Sequence, residues 1–61
     1  MNEFLSPGQL VRHPSEDGWG IGQVQSVIDG KITVNFEQVG KRVIQASEVE
    51  LLLVTTYRGL G

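Results

Sequence analysis

Two residues near the middle of the chain constrain its fold more than any others. Asp29-Gly30 separates two β-type runs, and both positions tolerate the positive φ that a two-residue hairpin loop demands. Downstream, Ile32, Val34 and Phe36 alternate with Lys31, Thr33, Asn35 and Glu37. That is the period-two pattern of a strand with one buried face. Upstream, Gly22 to Ile28 is β-type but alternates imperfectly. A two-residue loop pairs Val27 with Ile32, yet it then sets Gln25 opposite Val34 on the core face. A three-residue loop, Ile28-Asp29-Gly30 with Gly30 left-handed, shifts the register by one. It places Gly22 and Val24 against Phe36 and Val34 and turns Val27 outward. Either the longer loop is used, or a bulge near Gln25-Ser26 corrects the shorter one. The expected register sets Val24 beside Val34.

The remaining segments fit the same all-β pattern. Gln9 to Arg12 reads as a first strand that follows the Ser6-Pro7-Gly8 turn and ends at Pro14. Gln38-Val39-Gly40 reads as the turn of a second hairpin, with Lys41 to Gln45 as its return strand. Ala46 to Glu50 is expected to form one helical turn capped by Ser47, and Leu51 to Val54 a short last strand. No window shows a 3.6-residue apolar stripe. Five short strands in about fifty residues predict a small barrel or sandwich. The domain is expected over residues 6–54, with tails at 1–5 and 55–61, the latter frayed over Tyr57 to Gly61. Leu51-Leu52-Leu53-Val54 is apolar on both faces, so either Phe4-Leu5 covers it or it is an edge for weak self-association.

Length and composition limit what such a domain can do. With 61 residues there is room for one domain, and a core of that size rarely supplies more than roughly 3–5 kcal/mol without a staple, a metal or a partner. The absence of cysteine excludes disulfides and thiolate metal sites and suits a reducing cytoplasm. A single histidine, His13, argues against a His-based metal site, and no cofactor is expected. The apolar run Leu51 to Val54 is far short of a membrane span, and the start Met-Asn-Glu-Phe-Leu lacks a signal-peptide pattern. Five Lys+Arg against seven Asp+Glu give a net charge of −2, which disfavours a general nucleic-acid coat.

Catalysis finds little to work with. A nucleophile–base pair requires His13 with Ser6, Ser15, Ser26 or Ser47, and no carboxylate is placed to orient it. The pairs Glu16-Asp17 and Glu48-Glu50 read as solvated acids. Gly18-Trp19-Gly20-Ile21-Gly22 lacks the Lys-Ser/Thr of a phosphate-binding loop and opens no helix. Its glycines let the chain enter a bent strand while Trp19 covers one end of the core. An indole flanked by glycines is also a common interface anchor. Basic residues fall at Arg12 and at Lys41-Arg42, which a small barrel could bring together as a patch for an acidic partner or a phosphate backbone. An aromatic cage needs more converging rings than Phe4, Trp19, Phe36 and Tyr57 supply.

Several strings then resemble one known pattern: Gly8-Gln9-Leu10-Val11-Arg12-His13-Pro14, Trp19-Gly20-Ile21-Gly22-Gln23-Val24, Val34-Asn35-Phe36-Glu37 and Gly40-Lys41-Arg42-Val43-Ile44. The pattern resembles the C-terminal Tudor-like (SH3-like barrel) domain of UvrD/PcrA-type bacterial helicases. It resembles more closely a family of short, free-standing bacterial proteins of unknown function. The Gly-x-x-Val-x-His…Gly-Ile-Gly portion is similar to the RNA-polymerase-interacting domain of CarD-like regulators and transcription-repair coupling factors. The resemblance implies a five-stranded barrel that docks on a protein, with the RNA polymerase β subunit or a repair protein as partner. Its implied contacts are His13, Trp19, Gly20, Ile21, Gly22 and Arg42. The loop Ser15-Glu16-Asp17-Gly18 is longer and more acidic than the helicase version. The resulting expectation is a non-enzymatic interaction module using Arg12, His13, Trp19, Gly20, Ile21, Gly22, Lys41 and Arg42. The competing readings are nucleic-acid binding through Arg12, Lys41, Arg42 and Trp19, and self-association through Leu51 to Val54.

Overall fold

The computed structural model describes residues 5–54; Phe4 and the tail containing Tyr57 to Gly61 lie outside the described residues. Five strands form: β1 (Leu10–Arg12), β2 (Gly22–Ile28), β3 (Lys31–Phe36), β4 (Gly40–Gln45) and β5 (Leu52–Leu53). A single 3-10 turn, Asp17–Trp19, lies between β1 and β2. The strands make one antiparallel sheet in the order β4-β3-β2-β1-β5. β4 and β5 occupy opposite edges and no ladder joins them, so the strand pairing alone does not close a barrel. One reason is the shortness of β5, whose two residues pair only with Val11 and Arg12 of β1.

The central hairpin uses the shorter of the two loops. Asp29 and Gly30 have φ of 50° and 76°, and they join the pairs Ile28–Lys31 and Val27–Ile32. Positive φ at both loop residues matches the twist of the flanking strands. The slip in register falls between Val24 and Ser26, so Gln25 is the extra residue of a bulge. Beyond it, Val24 faces Val34 and Gly22 faces Phe36, which is the expected register. A bulge resolves the conflict because it restores the inward parity of Val24 without lengthening the loop.

The core consists of Val11, Val24, Ile32, Val34, Phe36, Ile44 and Leu51. Val11, Gly22 and Phe36 lie across from one another on three adjacent strands, so they share the core face. Glycine is required in that row for lack of space. A Cβ at position 22 would lie 2.4 Å from Val34 Cγ1 and 2.7 Å from Phe36 Cδ1.

The second hairpin turns over Glu37–Val39, with Gly40 (φ 76°) opening β4. After β4, the expected Ser47-capped helical turn is instead a hydrogen-bonded turn. The amides of Glu48 and Val49 donate to the Gln45 carbonyl at 3.0 and 3.1 Å. In the run that follows, Leu51 is buried while Leu52 and Leu53 are 52% and 53% exposed. Leu5 packs on the core, yet these two leucines stay open to solvent. No helix among the described residues is long and apolar enough to cross a membrane.

Two alanine substitutions test whether the steric constraint is particular to Gly22. Gly22→Ala is expected to cost about 1–3 kcal/mol through overpacking, a large share of what so small a core supplies. Gly18 has open space around it and no positive φ, so Gly18→Ala is expected to stay within about 0.5 kcal/mol of the parent. Urea midpoints of the two variants check this, and equal midpoints would contradict the packing described.

Candidate functional site

The sequence from Arg12 to Gly22 leaves the sheet, makes one tight turn and returns. His13 starts this excursion, and its Nδ1 accepts the backbone N–H of Ser15 at 3.1 Å. That bond leaves the ring hydrogen on Nε2. Ser15 Oγ lies 3.4 Å from the same Nδ1. It is the contact closest to the Ser–His pairing considered from sequence, and the ring nitrogen already holds a better-placed donor. The 3-10 turn follows, closed by the amides of Trp19 and Gly20 on the carbonyls of Glu16 and Asp17 at 3.0 and 3.2 Å.

Trp19 is thereby laid against the end of the core. Its ring meets Phe36 edge-on at 5.1 Å and 63°, and His13 edge-on at 4.8 Å and 62°, the geometry that ring quadrupoles favour. Arg42 completes the group, with its guanidinium carbon 5.5 Å from the indole centroid, within cation–π range. Arg42 reaches this position because it pairs with Val34 on β3, and so projects from the core face at the sheet edge. Its Nη1 donates to the Lys41 carbonyl at 3.0 Å. Trp19 is partly buried and Arg42 exposed, so the cluster has a wet side.

The loop is held from below by the β3–β4 turn. Ile21 and Glu37 exchange two bonds: Glu37 N–H to the Ile21 carbonyl at 2.9 Å, and Ile21 N–H to Glu37 Oε1 at 3.1 Å. Gln38 N–H donates to the Trp19 carbonyl at 3.1 Å. Gly20 bends between them at φ 79°, ψ −162°, a region open to glycine alone. A Cβ there would also approach Glu37 Oε1 to 2.9 Å.

The structure therefore brings together His13, Trp19, Gly20, Ile21 and Arg42. Gly22 lies beneath them as a buried packing position. The expected basic patch is divided. Arg12 reaches Asp17 at 3.3 Å, a solvent-exposed pair of small energetic value. Lys41 pairs with Asn35 and projects from the sheet face opposite to Arg42, because successive strand residues alternate. The residue that sequence reasoning passed over is Glu37. Alternation marked it as a solvent position, and only the fold reveals that its carboxylate receives a loop amide.

Beside the cluster runs an open groove of about 520 Å³ with Leu10, Ile21, Gln23, Asn35 and Glu37 on its walls. Its openness to solvent gives no means of excluding water from a reaction. Among the described residues no group of three or more His, Asp or Glu side chains is placed to hold a metal ion.

The Glu37 contact is testable by itself. Glu37→Ala should cost about 1 kcal/mol and raise the hydrogen-exchange rate of the Ile21 amide. Glu37→Gln, which keeps an acceptor oxygen, should leave that amide largely protected. Equal protection of the Ile21 amide in all three proteins would show that the loop is fixed without the carboxylate.

No curated protein and no solved structure matches the chain. A family model described as "Protein of unknown function (DUF3553)" matches residues 5–54. The match takes in all five strands together with the Trp19 loop, and the chain therefore belongs to the DUF3553 family.

Proposed function

We propose that this protein is a non-catalytic interaction module that docks, through its Trp19 surface, on the transcription or DNA-repair machinery. The favoured partner is the β subunit of RNA polymerase. The observation supporting docking is the state of Trp19, which is partly buried and oriented by Phe36, His13 and Arg42 on a loop tied to the sheet. A large amphipathic ring whose conformation is already fixed loses little entropy on binding and is a frequent anchor of interfaces. The choice of polymerase rests on resemblance alone, that of the Gly8 to Ile44 pattern to helicase and CarD-like domains. An SH3-like or Tudor-like barrel belongs to the same proposal, drawn from that resemblance and from the five-stranded antiparallel sheet.

The divided basic residues weigh against nucleic acid as the main ligand. With Arg12 engaged by Asp17 and Lys41 on the other face, few cations are left to line one phosphate backbone. Self-association through Leu52 and Leu53 would use the far edge of the sheet and leave the Trp19 surface free.

Amide-shift titrations test the reading. A purified N-terminal fragment of the polymerase β subunit is expected to shift His13, Trp19, Gly20, Ile21 and Arg42, whereas short single-stranded DNA at physiological salt shifts none of them. Trp19→Ala should weaken the fragment by about 2 kcal/mol, the usual size of a hot-spot truncation. Its folded state is checked by amide dispersion because the ring also packs on Phe36. Shifts with DNA alone would overturn the docking reading, and silence with the fragment would overturn the choice of polymerase.

A further inference from the structure

We infer that the Trp19 surface recognises a carboxylate, carried by a protein partner beside an apolar residue. This rests on the docking reading above and names the chemistry that the site would select. The argument begins with how Arg42 is held. Two contacts fix its head group: Nη1 is spent on the Lys41 carbonyl, and the guanidinium lies over the Trp19 ring. Both position the side chain without neutralising it. Among the described residues no carboxylate lies within ion-pairing distance of Arg42, whereas Arg12 is matched to Asp17.

What is left over is specific. Nε and Nη2 form the side-on edge of the guanidinium, and neither has a partner among the described residues. Two parallel N–H donors on one rigid plane are the complement of a carboxylate, and such forked pairs are stronger than single neutral hydrogen bonds. Since the plane is already oriented, binding does not have to order a long flexible side chain. Next to it stand the exposed parts of Trp19 and His13, which accept an apolar side chain rather than a second charge. Two described acids in or beside the Trp19 loop have partners elsewhere: Glu37 accepts the Ile21 amide, and Asp17 faces Arg12. The site thus reads as one cationic fork and one aromatic shelf.

The experiment titrates labelled full chain with two capped peptides, Ac-Phe-Glu-Phe-NH2 and Ac-Phe-Gln-Phe-NH2. The first is expected to shift the Arg42 Nε–H and the Trp19 indole N–H, binding about tenfold more tightly than the second. Arg42→Gln should erase that difference, and Arg42→Lys, which keeps the charge and loses the fork, should recover only part of it. Position 42 is solvent-exposed, so these variants are expected to fold, as amide dispersion would verify. Equal binding of the two peptides, no binding of either, or a preference that survives Arg42→Gln would overturn the inference. The docking reading would then still stand if the polymerase fragment shifts the same surface. Conversely, peptide selectivity with a silent fragment would keep the carboxylate site and discard that partner.

Discussion

Everything on the candidate surface depends on one missing atom group. Because position 22 carries no Cβ, β2 can lie close enough to Val34 and Phe36 for the phenyl ring to be fully enclosed. Phe36 then forms the floor on which Trp19 stands edge-on, and Trp19 in turn supports His13 and the Arg42 guanidinium. The chain of support runs from backbone approach to buried ring, to half-buried ring, to exposed cation. Burial falls along it, from buried Gly22 and Phe36 to partly buried Trp19 and exposed Arg42. Such a graded stack converts core packing, which is stiff, into the orientation of a polar group at the surface.

The second hairpin does the complementary work. Its turn contributes backbone amides from Glu37 and Gln38 and one carboxylate to the Trp19–Ile21 segment. That segment is irregular and would otherwise leave several polar groups to water. Strand order explains how these parts meet: β2 and β3 are adjacent, so the end of β3 falls beside the entrance to β2. Loops held at both ends by neighbouring strands are suited to presenting side chains in a fixed arrangement.

Much of this arrangement is legible in the sequence. The Asp29-Gly30 loop and the alternation of Ile32, Val34 and Phe36 determined the central hairpin, and the conflict at Gln25 pointed to the bulge. Period two also contained the fate of Arg42, since Ile44 must face inward and Arg42 lies two positions before it on the same face. That inference requires treating a charged residue as inward-facing at a strand edge, where alternation and polarity disagree. The role of Glu37 was hidden for a different reason, because its partner is 16 residues away and is a backbone amide with no side-chain signature. The leucine run was ambiguous in principle: Leu51, Leu52 and Leu53 are chemically identical, and only the fold shows that Leu51 is the one enclosed, while Leu53 stays exposed although it pairs with buried Val11.

The distribution of the core has a further consequence. Of the seven buried hydrophobic residues among those described, Val24, Ile32, Val34, Phe36 and Ile44 belong to the β2-β3-β4 meander, and Val11 and Leu51 come from the flanking segments. The meander is made of consecutive strands joined by tight turns, while β1 and β5 bring together residues some forty positions apart by sequence number. Loss of order should therefore proceed inward from the β1–β5 pair, where closing a long loop is repaid by little buried area. The Trp19 loop is anchored to β3 on one side and to β1 through Arg12 and His13 on the other. It thus straddles the boundary between the persistent part of the molecule and the part that opens first.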